Sequence, residues 1–289
     1  MTYSTIRDIL VQAEKQFGPE DAIRYKIGKD IIETKSYTQL KEDSERFSSV
    51  LKELGEQGNH IAITGMTSYL WLVAYLGTVN SGSVAVPLDV SLPAEELCEL
   101  IDRADATVLV LDEIRQDIAA MVRERCPKLK YVFSMQKENN TKEMLSLRQS
   151  LNAQQERFDY QPKPEQLCTI MFTSGTTGKG KGVMLTHQNM AENATCLDMK
   201  IPSRTVILSV LPIHHAYCLS MDILKGISLG SIICINDSLM RVAKNIKLFQ
   251  PNMILMVPLM IESLAKKLEE AAGLPPEIVK KEVFGEQFH

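Results

Sequence analysis

Long apolar runs are missing from this 289-residue sequence. The longest, Tyr69–Leu76 and Met253–Ile261, fall well short of the roughly 20 residues a membrane-spanning helix needs. A surplus of either charge is missing too: net charge is −4, from 32 Lys and Arg against 36 Asp and Glu, which gives no reason to expect a nucleic-acid partner. The six cysteines, Cys98, Cys126, Cys168, Cys196, Cys218 and Cys234, are widely spaced and form no C-x-x-C pair. No secretory pattern stands before them, since MTYSTIRDILVQAEKQ reads as amphipathic. Reduced, mostly buried thiols are therefore expected rather than disulfides or zinc, in a cytoplasmic-type chain. Internal repeats and low-complexity tracts are absent as well.

What is present is ordinary for a globular chain: 45% apolar and 24% charged residues, long enough for one large α/β domain or two modest ones. Apolar spacing at Ile6, Ile9, Leu10, Ala13 and Phe17 predicts a helix over 5–17. Ala22–Ile27 and Ile31–Lys35, joined by Gly28-Lys29-Asp30, read as a hairpin. Ser36 or Thr38 can cap the next helix, which Gly55 and Gly58 end. From there strands and helices alternate. Strands are expected at His60–Thr64, at Ser83–Val86 (closed by Pro87), at Thr107–Leu111 and at Tyr131–Ser134. Helices are expected at Ser68–Asn80, Pro93–Asp102 and Ile114–Arg125. Residues 136–166 are polar, with a helical patch around Met144–Leu151, and a subdomain seam is expected there. Beyond Leu167 the pattern predicts helices at His187–Leu197, Tyr217–Ile227, Leu239–Phe249 and Leu259–Ala272, with strands at Thr205–Val210, Ser231–Ile235 and Met253–Val257. Such alternation predicts doubly wound, mostly parallel sheets with helices on both faces.

The stretch LCTIMFTSGTTGKGKGVMLTH, Leu167–His187, stands out. A buried-strand run, Leu167–Phe172, leads into Thr173, Ser174, Gly175, Thr176, Thr177, Gly178, Lys179, Gly180, Lys181 and Gly182. A second apolar run, Val183–Leu185, follows, and then a helix start at Thr186. Glycines let backbone N–H groups turn inward toward a ligand, and the hydroxyls and two lysines suit a phosphate. On composition alone a flexible hairpin tip is an equal reading. The P-loop pattern G-x-x-x-x-G-K-[ST] is met from Gly175 to Lys181 but fails at Gly182, and a strand rather than a long helix follows; that reading is rejected. A second constellation, LSVLPIHHAYCLS at 208–220, sets His214 and His215 side by side after a strand. Adjacent histidines with no nearby Cys, Asp or Glu at ligand spacing make a metal pair a poor reading, and satisfied core or surface imidazoles remain open.

The ordered run T-S-G-T-T-G-K-G-K-G closely resembles the signature loop of the adenylate-forming, or AMP-binding, enzymes, whose form is [ST]-[ST]-G-[ST]-T-G-x-P-K-G; Gly180 stands where proline is common. Y-T-Q-L at 37–40 and V-N-S-G-S-V-A-V-P-L-D at 79–89 resemble two further segments of that superfamily, the second regarded as fold-supporting. T-G-K-G-K-G-V-M-L-T-H-Q-N is most similar to the fatty acyl-CoA ligases. The resemblance implies attack of a carboxylate on the α-phosphorus of Mg·ATP to give an acyl-adenylate, followed by thioester formation with coenzyme A. It implies that Thr173–Lys181 bind the nucleotide, that Lys181 supplies counter-charge, and that Ser174 helps order Mg2+. It implies that His215 meets the substrate carboxylate and gates the acyl pocket, which Tyr217, Cys218, Met221 and Leu224 are candidates to line. An aspartate at position 215 would mark an amino-acid-activating enzyme, so a carboxylic acid without an α-amino group is favoured. The superfamily's adenine segment, its Y-G-x-T-E motif and its lysine-bearing C-terminal lid find no match. The expectation is therefore an incomplete N-terminal adenylation domain over 1–289, inactive alone, with an exposed sheet edge through which it self-associates. A non-catalytic nucleotide- or acyl-binding module and an aryl-CoA ligase or luciferase-like member remain as alternatives.

Overall fold

The computed structural model describes residues 3–29, 31–112, 115–173, 180–196, 200–263 and 266, and for 116, 117 and 120 the backbone alone. Two compact units are present, Met1–Met253 and Ile254–His289. In chain order the first unit holds α1 (Ile6–Phe17), β1 (Asp21–Lys26), β2 (Ile32–Ser36), α2 (Tyr37–Glu53), β3 (His60–Thr64) and α3 (Tyr69–Asn80). Next come β4 (Val84–Leu88), α4 (Ala94–Arg103), β5 (Ala106–Leu111), α5 (Gln116–Arg125), β6 (Tyr131–Ser134), β7 (Leu145–Ser146) and α6 (Leu147–Ala153). After these follow β8 (Leu167–Thr173), β9 (Lys181–Thr186), α7 (His187–Thr195) and β10 (Val206–Ser209). A π-helix (Cys218–Leu224) runs into α8 (Lys225–Ser228), and β11 (Ile232–Ile235), a 3-10 turn (Leu239–Arg241) and α9 (Val242–Phe249) complete the unit.

Seven strands form one sheet in the order β7-β6-β5-β3-β4-β8-β9, and four form another in the order β10-β11-β1-β2. Pairing is parallel except at β8–β9 and β1–β2. The two faces of the large sheet are separated by the period of two along each strand. Leu109, Leu111 and Val132 pack with Leu97, Leu100 and Ile101 of α4 and Ile118 and Val122 of α5. On the opposite face, Phe133 meets Phe47 of α2 edge-to-face at 5.8 Å, and Tyr75 of α3 hydrogen-bonds Thr169 of β8 at 3.0 Å. Each buried aliphatic side chain of α4 contributes roughly 1.5–3 kcal/mol. Hydroxyl caps start the helices where they were expected: Ser36 for α2, Ser68 for α3 and Thr186 for α7.

Two expectations are corrected and two gain detail. Pro87 does not close its strand; β4 continues through Pro87 opposite Ile63, and its pairing to β8 lies at Ala85, so a residue without an N–H fits beyond that point. Residues 217–227 are helical as expected, with Cys218–Leu224 wound as π-helix before α8 begins. The 239–249 helix opens as a 3-10 turn. Met253 makes a single bridge to Ile207, and 254–257 has no regular structure, so no strand forms there. Within 136–166, Leu145 and Ser146 add an edge strand beside β6 that the polar composition concealed. In the second unit the described residues form a helical turn over 258–263, with Ile261 N–H donating to Val257 O at 3.2 Å. The remainder of the expected 259–272 helix, apart from 266, lies outside the described residues.

Candidate active site

Parallel strands deliver their C-terminal ends to one edge, where open α/β sheets gather ligands. At that edge a cleft of about 240 Å3 lies between the two sheets. Gly65–Thr67 after β3 and Asp89–Ser91 after β4 form one wall; Ser209–His215, with Asn236, Ser238 and Leu239, form the other. Apolar side chains (Val90, Val210, Leu211, Ile213, Leu239) alternate with a few polar groups, the usual make-up of a small-molecule site.

His215 is exposed and faces this cleft, and the turn that presents it is fixed by its N–H donating to Pro212 O at 3.1 Å. Its neighbour His214 is largely buried, with Nε2 3.6 Å from Asp89 Oδ2 and its ring centroid 4.2 Å from that of His215. Burial pushes the His214 imidazole down to about 4 against the pull of Asp89, so the ring is neutral near pH 7. Burial works to raise the Asp89 carboxyl, but bonds from the Ser91 N–H and hydroxyl, together with the histidines, hold it below its ordinary value. Beneath the cleft floor, Asp222 of the π-helix is fully buried. Its Oδ2 accepts from Ser209 Oγ at 3.0 Å, while Oδ1 has no hydrogen-bond partner, and burial lifts the acid to about 7. Cys218, Met221 and Leu224 are buried in the core and are not among the residues lining the cleft, nor is exposed Tyr217.

The glycine-rich loop is the hairpin between β8 and β9, with Thr173 opposite Lys181. Ser174, Gly175, Thr176, Thr177, Gly178 and Lys179 lie outside the described residues. Because β8 runs parallel to β4, the loop leaves the same sheet edge as Asp89, although Thr173 and Lys181 do not line the cleft. A strand antiparallel to β8 follows the loop, unlike the helix of a P-loop. Lys181 is exposed. Arg103 donates to Gly180 O at 2.7 Å and lies over the Phe172 ring at 5.4 Å, which brings a second cation to the loop's base. A Cβ at Gly180 would meet Thr173 O at 2.8 Å, so this hairpin excludes the side chain that proline would bring. That closely approaching backbone, with a hydroxyl at Thr173 and cations at Lys181 and Arg103, suits a phosphate.

Asp89, His214 and Arg103 escaped sequence reasoning. Asp89 stands in a segment read as fold-supporting, His214 was visible only as a neighbour, and Arg103 is 77 residues from its partner.

Two mostly parallel sheets meet at a histidine-bearing cleft, with a glycine-rich hairpin leaving the same edge, in an α/β chain whose class the comparisons define. The model of the "AMP-binding enzyme" family matches residues 11–283, and the chain belongs to that family. It is 30% identical over 266 residues to long-chain-fatty-acid–CoA ligase 5 of Rattus norvegicus, covering 83% of this chain and 38% of that protein. It is 25% identical over 299 residues to long-chain-fatty-acid–CoA ligase ACSBG2 of Xenopus laevis, covering 96% of this chain and 40% of that one. In fold it is similar to the N-terminal domain of FACL13 from Mycobacterium tuberculosis, with a TM-score of 0.82 at 20% identity over 94% of this chain and 67% of that structure. The long-chain-fatty-acid–CoA ligase FadD1 from Archaeoglobus fulgidus gives 0.81 at 22% identity, over 93% and 54%. The chain thus spans about two fifths of the length of the curated relatives it matches. Among the described residues no helix is long and apolar enough to cross a membrane.

Proposed function

We propose that these 289 residues are the N-terminal adenylation portion of an AMP-forming ligase that activates a long-chain fatty acid as acyl-adenylate and passes it to coenzyme A. The observation that carries this reading is the cleft itself. An exposed imidazole, His215, stands among apolar walls at the sheet edge from which the glycine-rich hairpin also leaves. In this reading the fatty acyl chain lies along Val90, Val210, Leu211 and Ile213, and His215 hydrogen-bonds the carboxylate. Lys181, Thr173 and Gly180, with Ser174, Gly175, Thr176, Thr177, Gly178 and Lys179 of the loop, take the phosphates of ATP. Ser174 is the residue that would hold Mg2+, which when bound supplies charge neutralisation at the phosphates. The chain's own contribution is positioning and electrostatics, as phosphoryl chemistry demands, with His215 orienting the attacking carboxylate and the apolar walls excluding water.

Relatives whose names specify long-chain fatty acids support the acid class, and the 38–40% share of their length supports a portion of a longer ligase. The test is calorimetry with Mg·ATP and with palmitate. The chain is expected to bind both, with His215→Ala weakening palmitate about tenfold and Lys181→Ala weakening Mg·ATP by a similar factor. Unchanged affinities in both variants would overturn the assignment of both sites.

A further inference from the structure

Sequence places Asp89 and His214 far apart, on loops after β4 of the large sheet and β10 of the small one, yet both reach the same cleft. Ser91 locks the carboxylate: Asp89 Oδ1 accepts from the Ser91 N–H at 2.8 Å and from its hydroxyl at 2.7 Å. Oδ2 is the oxygen left to face His214, whose Nε2 stands 3.6 Å away. The His214 side chain is only 10% exposed, and its Nε2 has no hydrogen-bond partner. A small ring movement turns that spacing into a hydrogen bond. The other flank of the His214 ring lies against His215, with an interplanar angle of 54°. The charged groups behind these loops are occupied elsewhere. Arg115 donates to the carbonyls of Val90 and Leu92, and Asp112 accepts from the Met66 N–H.

The backbone of His215 is tied on both sides, by its N–H to Pro212 O and by its carbonyl to the Leu219 N–H, both at 3.1 Å. What remains free is the rotation of its ring into the cleft, and His214 stands on one side of that rotation. We propose that Asp89 and His214 are positioning residues for His215: Asp89 fixes the His214 ring with Nε2–H toward the carboxylate, and His214 holds the His215 imidazole toward the acid-binding cleft. This rests on the reading of the cleft as the fatty-acid site. The carboxylate, buried imidazole and exposed imidazole form one chain that crosses from the large sheet to the small one, so the distance between the sheets sets the presentation of His215.

The experiment combines nitrogen-15 NMR of the histidine rings with palmitate calorimetry on the 289-residue chain. In the unmutated chain near pH 7, His214 is expected as the neutral Nε2–H tautomer; the opposite tautomer overturns the proposal and needs no variant to show it. Asp89→Ala and His214→Ala are expected to weaken palmitate about fivefold to tenfold through a His215 ring that is no longer held toward the acid, an effect the size of one hydrogen bond. Asp89→Asn keeps one acceptor oxygen, which the Ser91 N–H and hydroxyl take, so its amide NH2 faces His214; it is expected to lose affinity as Asp89→Ala does and to turn His214 to the Nδ1–H tautomer. A structural role alone would survive in Asp89→Asn, which keeps the Ser91 bonds, and would not change the tautomer. If His215→Ala weakens palmitate and Asp89→Ala does not, the positioning role fails while the acid site stands. If His215→Ala has no effect, the acid site fails and the positioning role with it.

Discussion

Replacing Asp222 by asparagine is expected to make the protein more stable in weakly alkaline solution and to lose that advantage in acid. Asp222 is fully buried, its Oδ2 accepts from the Ser209 hydroxyl at 3.0 Å and more weakly from the Cys218 thiol at 3.9 Å, its Oδ1 accepts none, and it has no ion pair among the described residues. A buried carboxylate so poorly compensated favours its neutral form, and burial raises the acid from the ordinary 3.8 to about 7. The folded chain therefore holds a proton that the unfolded chain has released, and stability falls as pH rises between these two values, with no further loss above the higher one. A gap of about three units corresponds to roughly 4 kcal/mol above pH 7 and to about 1.5 kcal/mol near pH 5. Asparagine carries no charge and keeps an oxygen for Ser209, but it leaves an N–H group unpaired at a cost of roughly 1–3 kcal/mol that does not vary with pH. The variant should thus exceed the parent by about 1–3 kcal/mol near pH 8, and the difference should shift by roughly 3 kcal/mol on going to about pH 5. Urea unfolding of both proteins at the two pH values measures this directly, since other titrating groups cancel in the comparison. A difference constant to about 0.5 kcal/mol would refute the argument.

Other perturbations test other parts of the account. Gly230→Ala puts a Cβ 2.3 Å from the Phe17 ring at a φ of +65°, and should destabilise by roughly 2–4 kcal/mol in the same urea assay. Gly180→Ala meets Thr173 O at 2.8 Å and should weaken Mg·ATP binding severalfold by calorimetry with little change in palmitate affinity; a parallel loss of both would point to general unfolding instead. Val183 and Met184 are exposed on β9, at the edge of the large sheet. Met184→Lys should therefore reduce self-association through that edge in sedimentation velocity, and a monomeric parent would dispose of the idea.

Much of the architecture was legible because it is written locally. Hydroxyl caps at Ser36, Ser68 and Thr186, and short continuous apolar runs such as Ile61 to Ile63 and Val108 to Leu111, encode their own elements. The glycine-rich hairpin was legible for the same reason, since β8 and β9 flank it with apolar residues. What sequence withheld depends on partners distant in the chain. Leu145–Ser146 becomes a strand only because β6 offers an open side, and Pro87 is tolerated inside β4 because its neighbour's ladder ends earlier. Asp89 carries no local sign of function. It gains one when two sheets set it opposite His214, and Arg103 likewise when α4 packs beside the β8–β9 hairpin.

The most direct measurement of the central claim is palmitate-dependent exchange of labelled pyrophosphate into ATP by the protein at its native length, with the released nucleotide identified. The account predicts exchange that requires palmitate, yields AMP on addition of coenzyme A, and falls sharply in Lys181→Ala and His215→Ala. Release of ADP, or nucleotide binding with no acid-dependent exchange, would contradict it and leave a phosphotransferase or a non-catalytic binding module in its place.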